Sequence, residues 1–195
     1  MPMSVLTATT YSAVVPTTDL RAHVRGSTSD DTELAVMSAA AADLVEKILG
    51  RTLLHSTLRF SSDTWPAGPL ELPRQLTGST YTLTVSYRAA GGSTYTSVAS
   101  TNYIVDAESE PGRVVLKSGV AWPTSALESV NAVRCDFVSG YLGSTNVPAS
   151  IRHAVRFLGG HWFENRESVV VGTISQEVEQ TVKTLLWANR IPHVP

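Results

Sequence analysis

The sequence predicts an α+β fold in which an antiparallel β insertion interrupts a helical bundle. Apolar residues recur at helical period near residues 31–49, 148–165 and 175–188, and at period two within 52–145. The strands of the middle also follow one another closely, with turn residues between them. That spacing argues for an antiparallel sheet or small barrel and against βαβ units. The organisation expected is an N-terminal arm and bundle helices over 1–51, the β insertion over 52–145, C-terminal bundle helices over 146–190, and an extended tail over 191–195. The chain has 195 residues, 43% of them hydrophobic, so it is long enough to bury a proper core.

The first 15 residues alternate loosely and suit an arm or an edge strand. Pro16-Thr17-Thr18-Asp19 reads as a helix start with a hydroxyl cap and an acidic first turn, and Gly26 as its end. A second helix opens at Ser29-Asp30-Asp31-Thr32-Glu33, where Asp30 and Glu33 have capping-box spacing. Leu34, Met37, Ala41, Leu44, Val45 and Ile48 form its apolar stripe, and Gly50 takes the C′ position. From Thr52 the period changes. Leu54, Ser56, Leu58 and Phe60 alternate with polar neighbours, as do Tyr81, Leu83, Val85 and Tyr87. Ala90-Gly91-Gly92-Ser93 turns into a strand over 94–98. Tyr103 to Asp106 and Arg113 to Leu116 form a hairpin, and Ala132 to Val138 places Val133, Cys135 and Phe137 on one face. The helical period returns after Val147-Pro148, with Ile151, Ala154, Val155, Leu158 and Trp162 as the buried stripe. Gly159-Gly160 costs about 1 kcal/mol per residue in mid-helix relative to Ala, which points to close packing there. A last helix carries Val178, Val182, Leu185 and Leu186 until Pro192 and Pro195 enforce an extended tail.

Composition removes several function classes. A net charge of −2 provides no global field for gripping nucleic acid. One cysteine, Cys135, excludes an internal disulfide framework and any multi-cysteine metal site. The uncharged first 18 residues lack the basic start of a signal peptide, and no apolar run reaches the roughly 18 residues of a membrane span. The expectation is a protein made in a reducing cytoplasm, with no membrane partner. Only 16% of residues are charged, whereas 22 are Ser and 22 are Thr. Such a polar, weakly charged surface suits a part that lies against other proteins.

Nothing in the chain assembles into catalytic machinery. His161 and Glu164 stand three apart on a helix, a spacing that chelates a metal from one face, yet no second pair follows. A helix-end polar cluster with Arg166 and Glu167 explains them, and a metal-dependent enzyme is the least favoured reading. Gly112 to Ser118 echoes a phosphate loop but lacks the glycine before its lysine and falls in a hairpin. Cys135 faces inward in a strand, the place of an inert thiol. No catalytic residue, metal ligand or cofactor is expected. Two features suggest interfaces. Arg152 and Arg156 lie four apart on one helix, as a solvated polar face, a salt-bridging face toward a neighbour, or a patch facing DNA. The segment from Trp187 through Arg190, Ile191, Pro192 and Val194 is either a frayed end or a peptide-like anchor for a partner.

The order of these signals resembles the head–tail connector (adaptor) proteins of long-tailed phages and gene transfer agents. The resemblance rests on the Asp30-Asp31-Thr32-Glu33 cap and on Val45 to Leu53 with its Gly50-Arg51 step. It continues through Leu70-Glu71-Leu72-Pro73-Arg74, Tyr103-Ile104-Val105-Asp106, Pro111-Gly112-Arg113-Val114 and Trp122-Pro123. Phe137 to Gly143, Val147 to Ile151 and His161-Trp162-Phe163-Glu164-Asn165-Arg166-Glu167 complete it, the last being its most specific part. It spans residues 17–170. The C-terminus departs, with Leu185-Leu186-Trp187-Ala188-Asn189-Arg190 followed by a Pro-rich extension.

The resemblance implies a structural virion protein of the head–tail neck, assembled in the bacterial host cytoplasm. It implies a homo-oligomeric ring, a dodecamer, bound beneath the portal protein and extending the DNA channel toward a stopper or tail-completion protein. Within that frame Trp187, Arg190, Ile191, Pro192 and Val194 are candidate portal contacts, and Arg152 and Arg156 candidate subunit-interface or channel residues with transient DNA contact. A β-rich phage tail or binding module is the alternative.

Overall fold

The computed structural model describes residues 3–8, 13–76, 82–165 and 176–191. It is mixed α+β, with four α-helices and two antiparallel sheets among the described residues. The chain divides into two units, one of residues 1–9 with 55–140 and one of 10–54 with 141–195.

In the helical unit, α1 (Thr17–Val24), α2 (Asp31–Leu49), α3 (Ala149–Glu164) and α4 (Gln176–Leu186) surround one apolar core. α2 packs on α3, α1 on both, and α4 on α3. The core takes Leu34, Ala41, Val45 and Leu49 from α2 and Ile151, Ala154, Val155 and Leu158 from α3, all essentially inaccessible to solvent. Each such aliphatic side chain contributes about 1.5–3 kcal/mol by leaving water. The same α2 face also buries Ser38, a residue no hydrophobic pattern marks. Its hydroxyl donates to the Val15 carbonyl at 2.8 Å and so satisfies a loop peptide that enters the core.

Helix ends differ from the expected ones in three places. α1 has Pro16 at its N-cap and no side-chain capping bond, so the hydroxyl cap is absent. Its end is turned by Arg25 in the left-handed region (φ 54°), not by Gly26, whose N–H still returns to the Arg21 carbonyl at 3.1 Å. The box ahead of α2 joins Ser27 to Asp30 rather than Asp30 to Glu33. There the Ser27 N–H donates to Asp30 Oδ2 at 2.8 Å, because a 3-10 turn over Thr28–Asp30 precedes the α-helix. Gly50 closes α2 at φ 65°, as its position predicted. Arg21 then clasps Asp31 through two contacts of 2.7 and 2.9 Å, joining α1 to the first turn of α2.

Gly159 and Gly160 are buried where α3 crosses α1. A Cβ on Gly159 would stand 3.2 Å from a methyl of Leu20, which is itself fully buried and would have to shift to admit it. Gly159→Val is therefore expected to cost about 1–3 kcal/mol in denaturant unfolding, more than any gain in helix propensity returns. An unchanged midpoint would contradict this packing.

The other unit holds both sheets. The larger runs β1 (Met3–Ala8), β2 (Ser56–Ser62), β8 (Val133–Ser139), β4 (Leu83–Tyr87), β5 (Thr96–Ser97) in spatial order, and the smaller β3 (Leu70–Glu71), β7 (Arg113–Leu116), β6 (Tyr103–Asp106). Thr80 and Tyr81, expected to open β4, lie outside the described residues. The expected single sheet or small barrel is thus replaced by two open sheets. Pro69 and Pro73 flank the two-residue β3, and a proline cannot donate to a ladder, so that sheet stops there. The two sheets share one core of Leu58, Phe60, Val85, Cys135 and Phe137 from the larger with Leu70, Tyr103 and Val114 from the smaller.

Of the two forms the N-terminal alternation suits, residues 3–8 take the edge strand, in the larger sheet. It pairs with β2 from Met3↔Phe60 to Ala8↔Ser56, with a bulge between Val5 and Thr7. The pairing satisfies the edge of β2 that β8 leaves open. At the other boundary, Leu53 and Val147 are buried in the helical core, and Leu54 bridges Tyr141. That draws the β unit in to 55–140 from the expected 52–145.

Asp106 organises the β6–β7 turn. Its carboxylate accepts the Ser109 hydroxyl at 2.7 Å, Arg113 Nε at 2.8 Å, and the N–H groups of Glu108 and Ser109 at 3.1 Å. These bonds, the Ser109 hydroxyl foremost and Arg113 next, lower its pKa from 3.8 to about 2. A depressed folded-state pKa stabilises above the unfolded value, and that contribution is lost as pH falls from near 4 through about 2. A carboxyl-carbon NMR titration is expected to place the Asp106 midpoint near 2. A midpoint near 4 would contradict the turn geometry.

Candidate partner-binding surfaces

The C-terminal segment is held by its own fold up to Ile191. Val178, Val182 and Leu186 recur every four residues on α4 and are buried in the helical core. The chain then tightens into a 3-10 turn over Trp187–Asn189. Arg51 Nε donates to the Asn189 carbonyl, and Asn189 Nδ2 donates to Ser150 Oγ at 3.0 Å. The Ile191 N–H donates to the Leu49 carbonyl at 3.0 Å, satisfying one of the last open carbonyls of α2.

This geometry separates the five tail residues. Trp187 is 77% exposed on a turn tied down at its far end, and Arg190 beside it is also exposed. Ile191 is only 7% exposed, its side chain covered within this chain. Pro192 and Val194 lie outside the described residues.

On α3, Arg152 and Arg156 are half-buried rather than spread on an open polar face, and His153 between them is exposed. Arg152 Nε reaches back to the Val147 carbonyl at 3.2 Å. The Nε of Arg156 is buried with no hydrogen-bond partner. Neither guanidinium has an ion pair among the described residues.

No protein-family model matches the sequence, and no curated protein sequence matches it. Solved structures do. A chain in the neck of an empty gene transfer agent particle computed with C6 symmetry superposes with a TM-score of 0.78 at 22% identity, covering 100% of this chain and 98% of that one. A chain in the virion of a native gene transfer agent particle gives 0.77 at 21% identity, with the same coverage of both chains. The neck of a native particle computed with C12 symmetry contains a chain that gives 0.71 at 22% identity, again with that coverage. The chain has the fold of a gene transfer agent neck chain.

Within this neck-chain fold, His161 and Glu164 do not come together as a metal site. Asn165 Nδ2 donates to His161 Nδ1 at 3.1 Å and to its carbonyl at 2.8 Å, while Glu164 is exposed. Among the described residues, no group of three or more His, Cys, Asp or Glu is placed to hold a metal. Cys135 is fully buried in β8, and burial pushes its thiol pKa up, away from the reactive thiolate.

Sequence reasoning missed one surface cluster. Arg134 of β8 stacks on Tyr95, its Cζ 3.8 Å from the ring centre, and Arg88 approaches the same ring at 5.4 Å. The Tyr95 hydroxyl donates to the Asn131 carbonyl at 2.7 Å, and Arg88 donates to the Val130 carbonyl at 2.9 Å. Two cations on one ring gain about 0.5–2 kcal/mol each. Strand alternation already placed Arg134 opposite the buried face of Cys135. Its neighbour Tyr95, 39 positions earlier in the chain, carries no local signal of that contact.

Proposed function

We propose that this protein is a structural, non-enzymatic subunit of the head–tail neck of a phage-like particle. In this reading it is a virion component that forms a ring, twelve copies in number, beneath the portal. The ring extends the DNA channel and offers a platform to a stopper or tail-completion protein. The observation that carries the proposal is end-to-end coverage of gene transfer agent neck chains by this fold, one of them in a neck computed with C12 symmetry. The hydroxyl-rich, weakly charged surface supports it, because a subunit covered on both flanks by identical neighbours needs little charge to stay soluble. No described helix is long and apolar enough to cross a membrane.

In this reading α2 and α3 form the packed body. Trp187 and Arg190 engage the portal, with Pro192 and Val194 continuing the contact. The deciding experiment is negative-stain imaging of the protein mixed with its portal. A ring co-axial with the portal is expected, whereas a bound particle off the axis, or nothing bound, would favour a tail or binding module instead.

Arg152 and Arg156 are assigned to the channel side, where guanidiniums with no carboxylate partner among the described residues meet passing phosphate without gripping it. Replacing both by Ala is expected to alter DNA retention several-fold while ring assembly on the portal persists. Failed assembly with normal DNA retention would make them subunit-interface residues.

A further inference from the structure

The two sheets of the β unit turn opposite faces outward, because both point their buried residues at one shared core. On the larger sheet, Arg59, Arg134 and Asp136 alternate with the buried Phe60, Cys135 and Phe137, and Ser86 lies opposite Arg134. Arg88 and Tyr95 continue that outward row beyond the ends of β4 and β5. On the smaller sheet, Glu71, Arg113 and Asp106 form one outward row across the three strands, and Ile104 and Val115 form the next.

The charges on these faces are complementary in the groups left over. Arg59 is paired with Asp136 by two contacts of 2.7 Å. Glu128 accepts the Gly91 and Ser129 N–H groups and lies close enough to Arg88 for their charges to attract, and Asp63 accepts the N–H of Asn131. Arg134 has no carboxylate among the described residues, and the Nε atoms of Arg134 and Arg88 are buried without a hydrogen-bond partner. On the smaller sheet, Glu71 is exposed beside the Asp106–Arg113 pair, and Glu108 is exposed in the turn that follows Asp106. The side chains of Glu71 and Glu108 have no cation among the described residues. Each face also carries one exposed aliphatic residue beside its charges, Val130 at 59% and Ile104 at 55%. An apolar contact inside a polar rim is the usual build of a protein interface.

We propose that the Arg134–Tyr95–Arg88 face of one copy docks on the Glu71–Ile104–Asp106 face of the next. The occupant is a second copy because the carboxylate that Arg134 lacks is supplied by the same chain on the side facing away, where Glu71 and Glu108 have no cation among the described residues. Two different patches on opposite sides make a heterologous contact, which builds a ring when its rotation closes. The inference rests on the ring reading above and adds the surface that closes it.

Charge reversal tests it. Arg88→Glu with Arg134→Glu reverses one face, and Glu71→Lys with Glu108→Lys the other. Self-association of the full chain is followed by sedimentation velocity over a concentration series. The wild-type chain is expected to associate, and to do so less when salt shortens the screening length from about 10 Å to about 3 Å. Each variant alone is expected to associate more weakly by roughly tenfold or more. An equimolar mixture of the two is expected to recover wild-type association, since reversed faces then alternate around the ring; recovery also shows that both variants are folded. Wild-type association with undiminished variants overturns this surface and leaves the ring standing. A wild-type chain that stays monomeric at every concentration overturns the self-association behind both. Variants that associate normally, while the Arg88/Arg134 pair loses binding to duplex DNA, overturn the proposal in favour of a phosphate-binding face.

Discussion

Trp187→Ala is expected to abolish stable attachment to portal-containing heads while leaving the chain's own unfolding midpoint unchanged. The two effects separate because the side chain is 77% exposed and contributes almost nothing to the helical core. Surface substitutions of this kind stay within about 0.5 kcal/mol in stability. A tryptophan that becomes buried at an interface is the commonest kind of hot spot, and its truncation costs about 2 kcal/mol or more, near thirtyfold in affinity. Co-sedimentation with heads and a parallel thermal melt measure both quantities on the same sample. Attachment within about twofold of wild type would remove Trp187 from the portal contact. The point substitution is more informative than truncation after Leu186, which also deletes the Asn189 and Ile191 bonds that tie this segment to Arg51, Ser150 and the end of α2.

Phe137→Ala is expected to cost about 3–5 kcal/mol of stability, as measured by denaturant unfolding. Phe137 is fully buried in β8, with Leu58 of β2 and Leu83 of β4 opposite it in register. Truncation there removes the largest fully buried side chain from the core that both sheets share, and neighbours held on three paired strands cannot collapse into the space. Ile104→Ala in the smaller sheet is the contrast. Its side chain is half exposed, so about 0.5 kcal/mol or less is expected. A loss below about 1 kcal/mol at Phe137 would mean the sheets do not share the described core.

How far the residues could be read depended on how local their signals were. The stripe of α2, the alternation in β2 and β8, and the β6–β7 hairpin all repeat within a few positions, and all five elements appear where their periods place them. Gly159 and Gly160 announced a close crossing because nothing else justifies two glycines in mid-helix, and Leu20 and His23 of α1 are the groups they admit. Ser38 was invisible for the opposite reason. A hydroxyl in an apolar stripe looks like a break in the pattern until the Val15 carbonyl is seen beside it. Arg25, not Gly26, is the left-handed turning residue of α1, against the residue preference that a glycine there suggests.

The candidate surfaces divide along the same line. The exposed Trp187 and the half-buried arginines of α3 belong to segments whose helical phase is a local property, so the chain alone pointed to them. Ile191 turned inward because the end of α2 offers an open carbonyl, a fact about a residue 142 positions away. The same holds for the stack of Arg134 on Tyr95, for the arm that closes the edge of β2, and for the split of the β insertion into two sheets. By itself the sequence determined the class of fold and most of its elements, because hydrophobic period and residue chemistry act over a few residues. Only the tertiary structure decided which groups were left without partners and which way they faced, because pairing across the core is set by contacts that no short stretch of chain contains.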